Sequence, residues 1–286
     1  MAGIVEKIKR KIKTITFKKI PVEVPVLYGE LLKGRTALIT GGTSGIGLEI
    51  ARAFIHNGAA VIITGRNEKK IISAVSLLKE ECKENADNSV YGFVLDNCDV
   101  EKMQIKFKSI LTSIDNRKID IFVNNAGVIT PQQFGETDEK TYDQIMDTDL
   151  KGTFFFSQIA AEYMIHDNVM GNILNVSSSS AIRPAESAYS VAKWGIKGLT
   201  LGMARKLSRN GIVVNAIAPG PTATKMLQED GIENINRMNS PSERFAAPCE
   251  IANLAVVLVS SMGKMVHGDT LYATGGCGLL TLDDYD

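Results

Sequence analysis

Seven short runs of β-branched and aliphatic residues recur along the chain, each separated from the next by a longer stretch. They are TALIT (36–40), AVIIT (60–64), VYGFVLD (90–96), IDIFVN (119–124), NILNVS (172–177), IVVNAIA (212–218) and TLYATG (270–275). Runs of this length suit strands. The stretches between them place apolar residues three and four apart, as in Leu48, Ile50, Ala51, Phe54 and Ile55, which is helical spacing. Several runs are apolar at nearly every position, so both faces of the sheet they form must be covered. Strand and helix in regular alternation predict an α/β fold, a doubly wound parallel sheet, occupying residues 34–286 as a single domain. No internal repeat or low-complexity tract interrupts it.

The first 33 residues fall outside that rhythm. Ile4, Ile8, Ile12 and Ile15 can share one helical face, with Lys7, Lys9, Arg10, Lys11 and Lys13 over the others. Residues 3–19 therefore read either as a solvated or docked arm, or as a basic amphipathic contact for an anionic membrane surface or a partner. PVEVP (21–25) reads as an extended connector, because each proline disfavours helix in the residue before it. Formal charges balance over the whole chain, 32 basic against 32 acidic, yet the first twenty residues hold seven Lys or Arg and one Glu. Such a balance carries no nucleic-acid signature. Four dispersed cysteines without a CxxC and three scattered histidines point to a reduced, cytoplasmic setting and no metal site. No apolar run approaches the ~18 residues that span a bilayer.

The first strand runs directly into GGTSGIGLEIARAF. Gly41, Gly42, Gly45 and Gly47 lie in a strand–turn–helix context, where backbone amides and a helix N-terminus can approach a pyrophosphate. A glycine turn alone is weak evidence, since any left-handed turn favours glycine. Placed between a strand and a convincing helix it predicts a dinucleotide site. The end of the second strand reads Gly65, Arg66, Asn67, with no carboxylate to grip a ribose 2′-hydroxyl. A guanidinium there suits the 2′-phosphate of NADP(H); a solvated loop arginine is the plainer reading, and NAD(H) stays open.

Tyr189 and Lys193 stand four apart in ESAYSVAKWGIKGLT, so both can project from one helical face. A phenol with a pKa near 10 is a poor proton carrier at neutral pH, and a neighbouring ammonium lowers it. The run NVSSSSA ends the fifth strand and offers hydroxyls at the edge where a parallel sheet places its ligands.

Together TGGTSGIG (40–47), NNAG (124–127), the serine-bearing strand end, YSVAK (189–193) and APGPTAT (218–224) resemble the short-chain dehydrogenase/reductase family, in its single-domain form of about 250 residues. The resemblance covers residues 34–286. It implies a Rossmann fold and an oxidoreductase interconverting a ketone and a secondary alcohol by hydride transfer. In that reading Tyr189 is the acid–base group, Lys193 lowers its pKa and binds the nicotinamide ribose, and Ser178 polarises the substrate oxygen, with Ser179 and Ser180 as alternatives. The resemblance also assigns the cofactor to Gly41, Thr43, Ser44, Gly45, Ile46, Gly47, Arg66, Asn67, Asp99, Val100, Asn125, Ala126, Gly127, Pro219, Gly220, Thr222 and Thr224. Asp99 and Val100 are expected to flank the adenine. The tyrosine helix and the long helix before it, about 142–166, commonly form dimer or tetramer contacts in the family, which implies a homo-oligomer. The chain departs from the family pattern at Asp149, where asparagine is usual before Leu-x-Gly. That asparagine helps hold a water behind the lysine, so Asp149 implies either an altered pH profile or a weakened, cofactor-binding scaffold. A small carbonyl or alcohol is the implied substrate, and the pocket loop after Thr224 selects no particular one.

Overall fold

A computed structural model describes residues 29–82, 90–224, 235, 237 and 240–280 of the chain. The expected arm at 3–19 and its connector lie outside the described residues. Seven strands form one sheet in the order β3-β2-β1-β4-β5-β6-β7, with every neighbouring pair parallel. They are β1 (Thr36–Ile39), β2 (Ala60–Gly65), β3 (Val90–Val94), β4 (Ile121–Asn124), β5 (Asn172–Val176), β6 (Val213–Pro219) and β7 (Thr270–Ala273). The helices are α1 (Gly45–His56), α2 (Glu68–Glu81), α3 (Val100–Thr112), α4 (Glu139–Ile145), α5 (Gly152–His166), α6 (Ala188–Leu207) and α7 (Pro248–Val259).

The continuous apolar character of the strands has the cause expected of it. In β1, Ala37 and Ile39 enter one core while Leu38 enters the other; Val61 and Ile63 are opposed to Ile62 in β2, and Ile121 and Val123 to Phe122 in β4. Side chains alternate across a strand, so a two-faced core demands apolar residues at every position. One core is closed by α1, α2 and α7, the other by α3, α5 and α6. In the second, Phe107, Phe122, Phe156 and Tyr163 cluster with centroids 5.4–6.2 Å apart, edge to face except for the tilted pair Phe107 and Phe122. Leu32, ahead of β1, is fully buried in the first core, and its N–H donates to Asn57 O at 2.8 Å.

A polar ladder runs through the middle of the sheet. The Asn124 amide donates to Ser157 Oγ and to Asn175 Oδ1, both at 2.8 Å, and Asn175 Nδ2 donates to Thr200 Oγ1 at 2.9 Å. All four residues are buried, and the ladder ties β4 and β5 to α5 and α6.

The helical segment expected near 142–166 begins at Glu139 and contains one π-helical stretch, Met146–Lys151, between α4 and α5. Such an insertion widens one turn and redirects a side chain, and 3.6-residue periodicity gives no sign of it.

Candidate active site

Strand order reverses at β1 and β4, and a crevice opens at the carboxyl edge of the sheet there. The cleft has a volume of about 500 Å³, within the usual range for a small-molecule site. Its first wall is the turn between β1 and α1. Gly41 has φ +65° and a Cβ there would lie 2.9 Å from Ala126 Cα, so only glycine lets the β4 end approach. Asn125 stitches the two ends together, its Nδ2 donating to Thr40 O at 3.0 Å and to Gly41 O at 3.1 Å. Ser44 caps α1 in extended conformation without using its side chain on the helix, and Thr43, Ser44, Gly45 and Ile46 line the cleft. Gly47 does not line it. A side chain at Gly47 would collide with Asn125 and the Gly41 carbonyl, so this glycine serves the packing of α1 on the turn.

The β2 edge contributes Arg66, Asn67 and Lys70 to the cleft. Asn67 accepts the Lys70 N–H at 3.0 Å and so caps α2. Lys70 has no motif around it to single it out in the sequence; only the first turn of α2 brings it beside Arg66. Arg66 and Lys70 thus put two cations, with no carboxylate between them in the sequence other than the exposed Glu68, on this edge of the cleft.

Asp99 and Val100 stand elsewhere. Asp99 is the N-cap of α3, accepting Lys102 N–H at 3.3 Å and pairing with Lys102 Nζ at 2.6 Å. The cleft is lined instead by Leu95, Asp96 and Asn97. Strand β3 ends at Val94, so the residues that leave the sheet edge come three positions earlier than expected. Asp96 turns back to accept Cys98 N–H at 3.0 Å.

On the other side of the switch point the cleft gathers Asn125, Ala126, Gly127, Ser177 to Ser180, Tyr189, Lys193, Pro219, Gly220, Thr222 and Thr224. Helix α6 is capped by Ser187, whose hydroxyl accepts Ser190 N–H at 3.2 Å, and the helix sets Tyr189 and Lys193 one turn apart. Lys193 Nζ lies 5.3 Å from the Tyr189 ring centroid and donates to Val176 O at 3.2 Å. Ser178 is extended and caps a short 3₁₀ turn, its Oγ accepting Ser180 N–H at 3.1 Å. Ser177 Oγ donates to Lys193 O at 3.1 Å and Ser178 Oγ to Ser180 Oγ at 3.3 Å, and Ser178 to Ser180 line the cleft.

Asp149 comes from the π-helical stretch. Its Oδ1 accepts Val128 N–H at 2.8 Å and its Oδ2 faces Lys193 Nζ at 3.1 Å, with both side chains almost fully buried. Burial raises the Asp149 carboxyl above the usual range, against the pull of Lys193 and the Val128 N–H. Burial works against the Lys193 ammonium too, but Asp149 and Tyr189 outweigh it and its pKa stands above that of an ordinary lysine. The pair is a buried cation held by a buried anion, next to a phenol in a cleft.

Among the described residues no cluster of three or more His, Cys, Asp or Glu is arranged to hold a metal, and no helix is long and apolar enough to cross a membrane.

A family model described as enoyl-(acyl carrier protein) reductase matches residues 41–278. The chain is 34% identical over 250 residues to the 3alpha-hydroxysteroid dehydrogenase of Mediterraneibacter gnavus, covering 86% of this chain and 97% of that protein. It is 30% identical to the 3-oxoacyl-(acyl-carrier-protein) reductase of Aquifex aeolicus, over 86% of this chain and 98% of that one. Among solved structures, an actinorhodin polyketide ketoreductase variant with NADPH superimposes with a TM-score of 0.76 at 26% identity, covering 86% of this chain and 98% of that chain.

Proposed function

The chain belongs to the short-chain dehydrogenase/reductase family, and from that premise we propose that it is an NADP(H)-preferring oxidoreductase interconverting a small ketone and its secondary alcohol. The observation that carries the reading is the buried Lys193 beside Tyr189 at the switch point of the sheet. A bound nicotinamide dinucleotide would supply the hydride. Gly41, Thr43, Ser44, Gly45, Ile46, Asn125, Ala126 and Gly127 would hold it along the glycine turn, and Pro219, Gly220, Thr222 and Thr224 at the nicotinamide end. Arg66 and Lys70 favour the 2′-phosphate, and Asn67 closes that edge.

Tyr189 moves the proton at the substrate oxygen, as acid in reduction and as base in oxidation. Lys193 sets a buried cation against the phenol ring, 5.3 Å from its centroid. Ser178 donates a hydrogen bond to the same oxygen, with Ser179 and Ser180 beside it. The setting we propose is cytoplasmic, with a homo-oligomer built on α5 and α6, where Phe154, Phe155, Ile165, Val191, Trp194 and Leu201 are exposed. The basic segment 3–19 would serve as a peripheral contact for a membrane surface or partner.

The test is oxidation of NADPH and of NADH against a chemically diverse carbonyl panel. Tyr189→Phe should lower kcat by at least about a hundredfold, the lower end of what positioned acid–base groups contribute, while leaving NADPH affinity intact; normal turnover in that variant would refute the assignment. Replacing Arg66 and Lys70 with Ala should raise KM for NADPH by about tenfold or more, as expected when charge-assisted contacts are lost, and leave KM for NADH unchanged.

A further inference from the structure

The cleft carries more positive charge than the adenosine edge accounts for. Beyond Arg66, Lys70 and Lys193 it is lined by Arg183 and Arg237. Its two carboxylates are committed elsewhere: Asp149 faces Lys193, and Asp96 accepts the Cys98 N–H. None of the ion pairs among the described residues involves Arg183 or Arg237.

Both arginines are set by the fold. Arg183 ends the 3₁₀ turn that begins after Ser178, and its carbonyl accepts the Trp194 indole N–H at 2.8 Å. The Arg237 N–H donates to Glu243 O at 2.8 Å, and Ser240 N–H and Oγ return to Arg237 O at 3.1 and 2.9 Å. That loop is anchored by the two-pronged contact of Arg244 with Glu250 on α7, at 2.6 and 2.7 Å. The turn after β7 brings the two segments together. A Cβ on Gly278 would lie 2.6 Å from Arg183 Nε, while one on Gly275 would lie 2.5 Å from Ser242 Oγ and one on Gly276 2.8 Å from Pro241 Cβ.

The Arg237 guanidinium lies on the Phe245 ring at 5.3 Å, and its Nε is buried with no hydrogen-bond partner. Because that Nε is closed to solvent, an oxyanion in the cleft would meet the guanidinium through its terminal N–H groups, in a charge-assisted contact.

We infer that Arg183 and Arg237 form an oxyanion subsite at the substrate end of the cleft, and that the substrate is a ketone or secondary alcohol carrying a carboxylate or a phosphate. The inference deepens the oxidoreductase reading and rests on it. A guanidinium pair tethers the charged end, and the carbonyl is left to Ser178 and Tyr189. Recognition by charge also admits substrates whose uncharged portions differ widely.

The experiment compares matched substrates with NADPH: oxo acids of increasing chain length against their methyl esters, and hydroxyketone phosphates against their free alcohols. The charged member of at least one series should exceed its neutral partner by about tenfold or more in kcat/KM, carried mainly in KM, as for other hydrogen bonds to charged groups. Which series shows the gap tells carboxylate from phosphate. Arg183→Gln and Arg237→Gln should each bring the ratio of charged to neutral substrate towards one, with KM for NADPH unchanged, and Arg183→Lys should restore part of it. Parity in the wild-type protein across both series overturns the inference. So does a rise in KM for NADPH in the variants, which would assign the arginines to the cofactor. If no ketone is reduced, the oxidoreductase reading fails by itself, and the subsite is then read directly. Trp194 is the sole tryptophan of the chain and bonds the Arg183 carbonyl, so its fluorescence is titrated with the same acids and phosphates in the presence of NADP+. A saturable change that both glutamine variants abolish supports the subsite; no change, or one the variants keep, overturns it.

Discussion

Lys193 can act on Tyr189 only with whatever positive charge its surroundings leave uncompensated. Asp149, 3.1 Å away and buried, takes part of that charge, where a neutral amide at the same place would take none. In Asp149→Asn the partner that holds the Lys193 pKa up is gone while burial still opposes its charge. The ammonium should therefore be lost at lower pH, and the alkaline limb of kcat/KM should move down with it in both directions of the reaction. Rate profiles of kcat/KM in both directions check this, and a profile that stays put would separate Asp149 from proton handling. Tyr189, Lys193 and Asp149 were legible in the sequence because helical spacing and a motif fix them. Lys70, Arg183 and Arg237 were not. Nothing in their local sequence differs from that of a solvated surface cation, and only the turn after β7 and the cap of α2 bring them to the cleft. Asp99 and Val100 were misplaced for a related reason: the sequence around 90–100 stays apolar and then acidic without marking where β3 stops pairing.

At the level of elements, the seven strands lie where β-branched runs placed them, because a strand buried on both faces leaves an unbroken signature. The helical segment before β5 was only partly legible. Its existence follows from periodicity, but the π-helical turn at Met146–Lys151 carries Asp149, whose partners Val128 and Lys193 are remote from it in sequence. Helix α5 depends on a different force. Phe156 is fully buried and meets Phe107 and Phe122 edge to face at 6.1 and 6.2 Å, filling the wedge between α3, α5 and β4. Phe156→Ala should destabilise the fold by about 3–5 kcal/mol, the usual range for a large aromatic removed from a core. Denaturant unfolding of the two proteins measures this, and a loss below about 1 kcal/mol would mean the wedge collapses to refill the space.

Across the whole molecule, exposure is uneven. Phe154 and Ile165 on α5 share a stripe, as do Trp194 and Leu201 on α6, and these residues are 41–63% exposed. Isolated apolar side chains on a surface need no explanation, but stripes on two adjacent helices do. If α5 and α6 pair with a second copy, Phe154→Glu with Leu201→Glu should halve the mass seen by light scattering or reduce it further. Unaltered mass in that double variant would move the interface elsewhere, and a monomeric wild-type protein would remove it. The same two helices carry the lower ends of the polar ladder, Ser157 on α5 and Thr200 on α6. An oily core resists separation well but sliding poorly, since methylene groups exchange neighbours at little loss. Hydrogen bonds between amides and hydroxyls hold at one offset alone. The ladder therefore works as a vernier under the sheet: it sets the height of α6 against β5 in fractions of a helical turn. With that height goes the distance from the tyrosine hydroxyl to anything seated on the strand edge above.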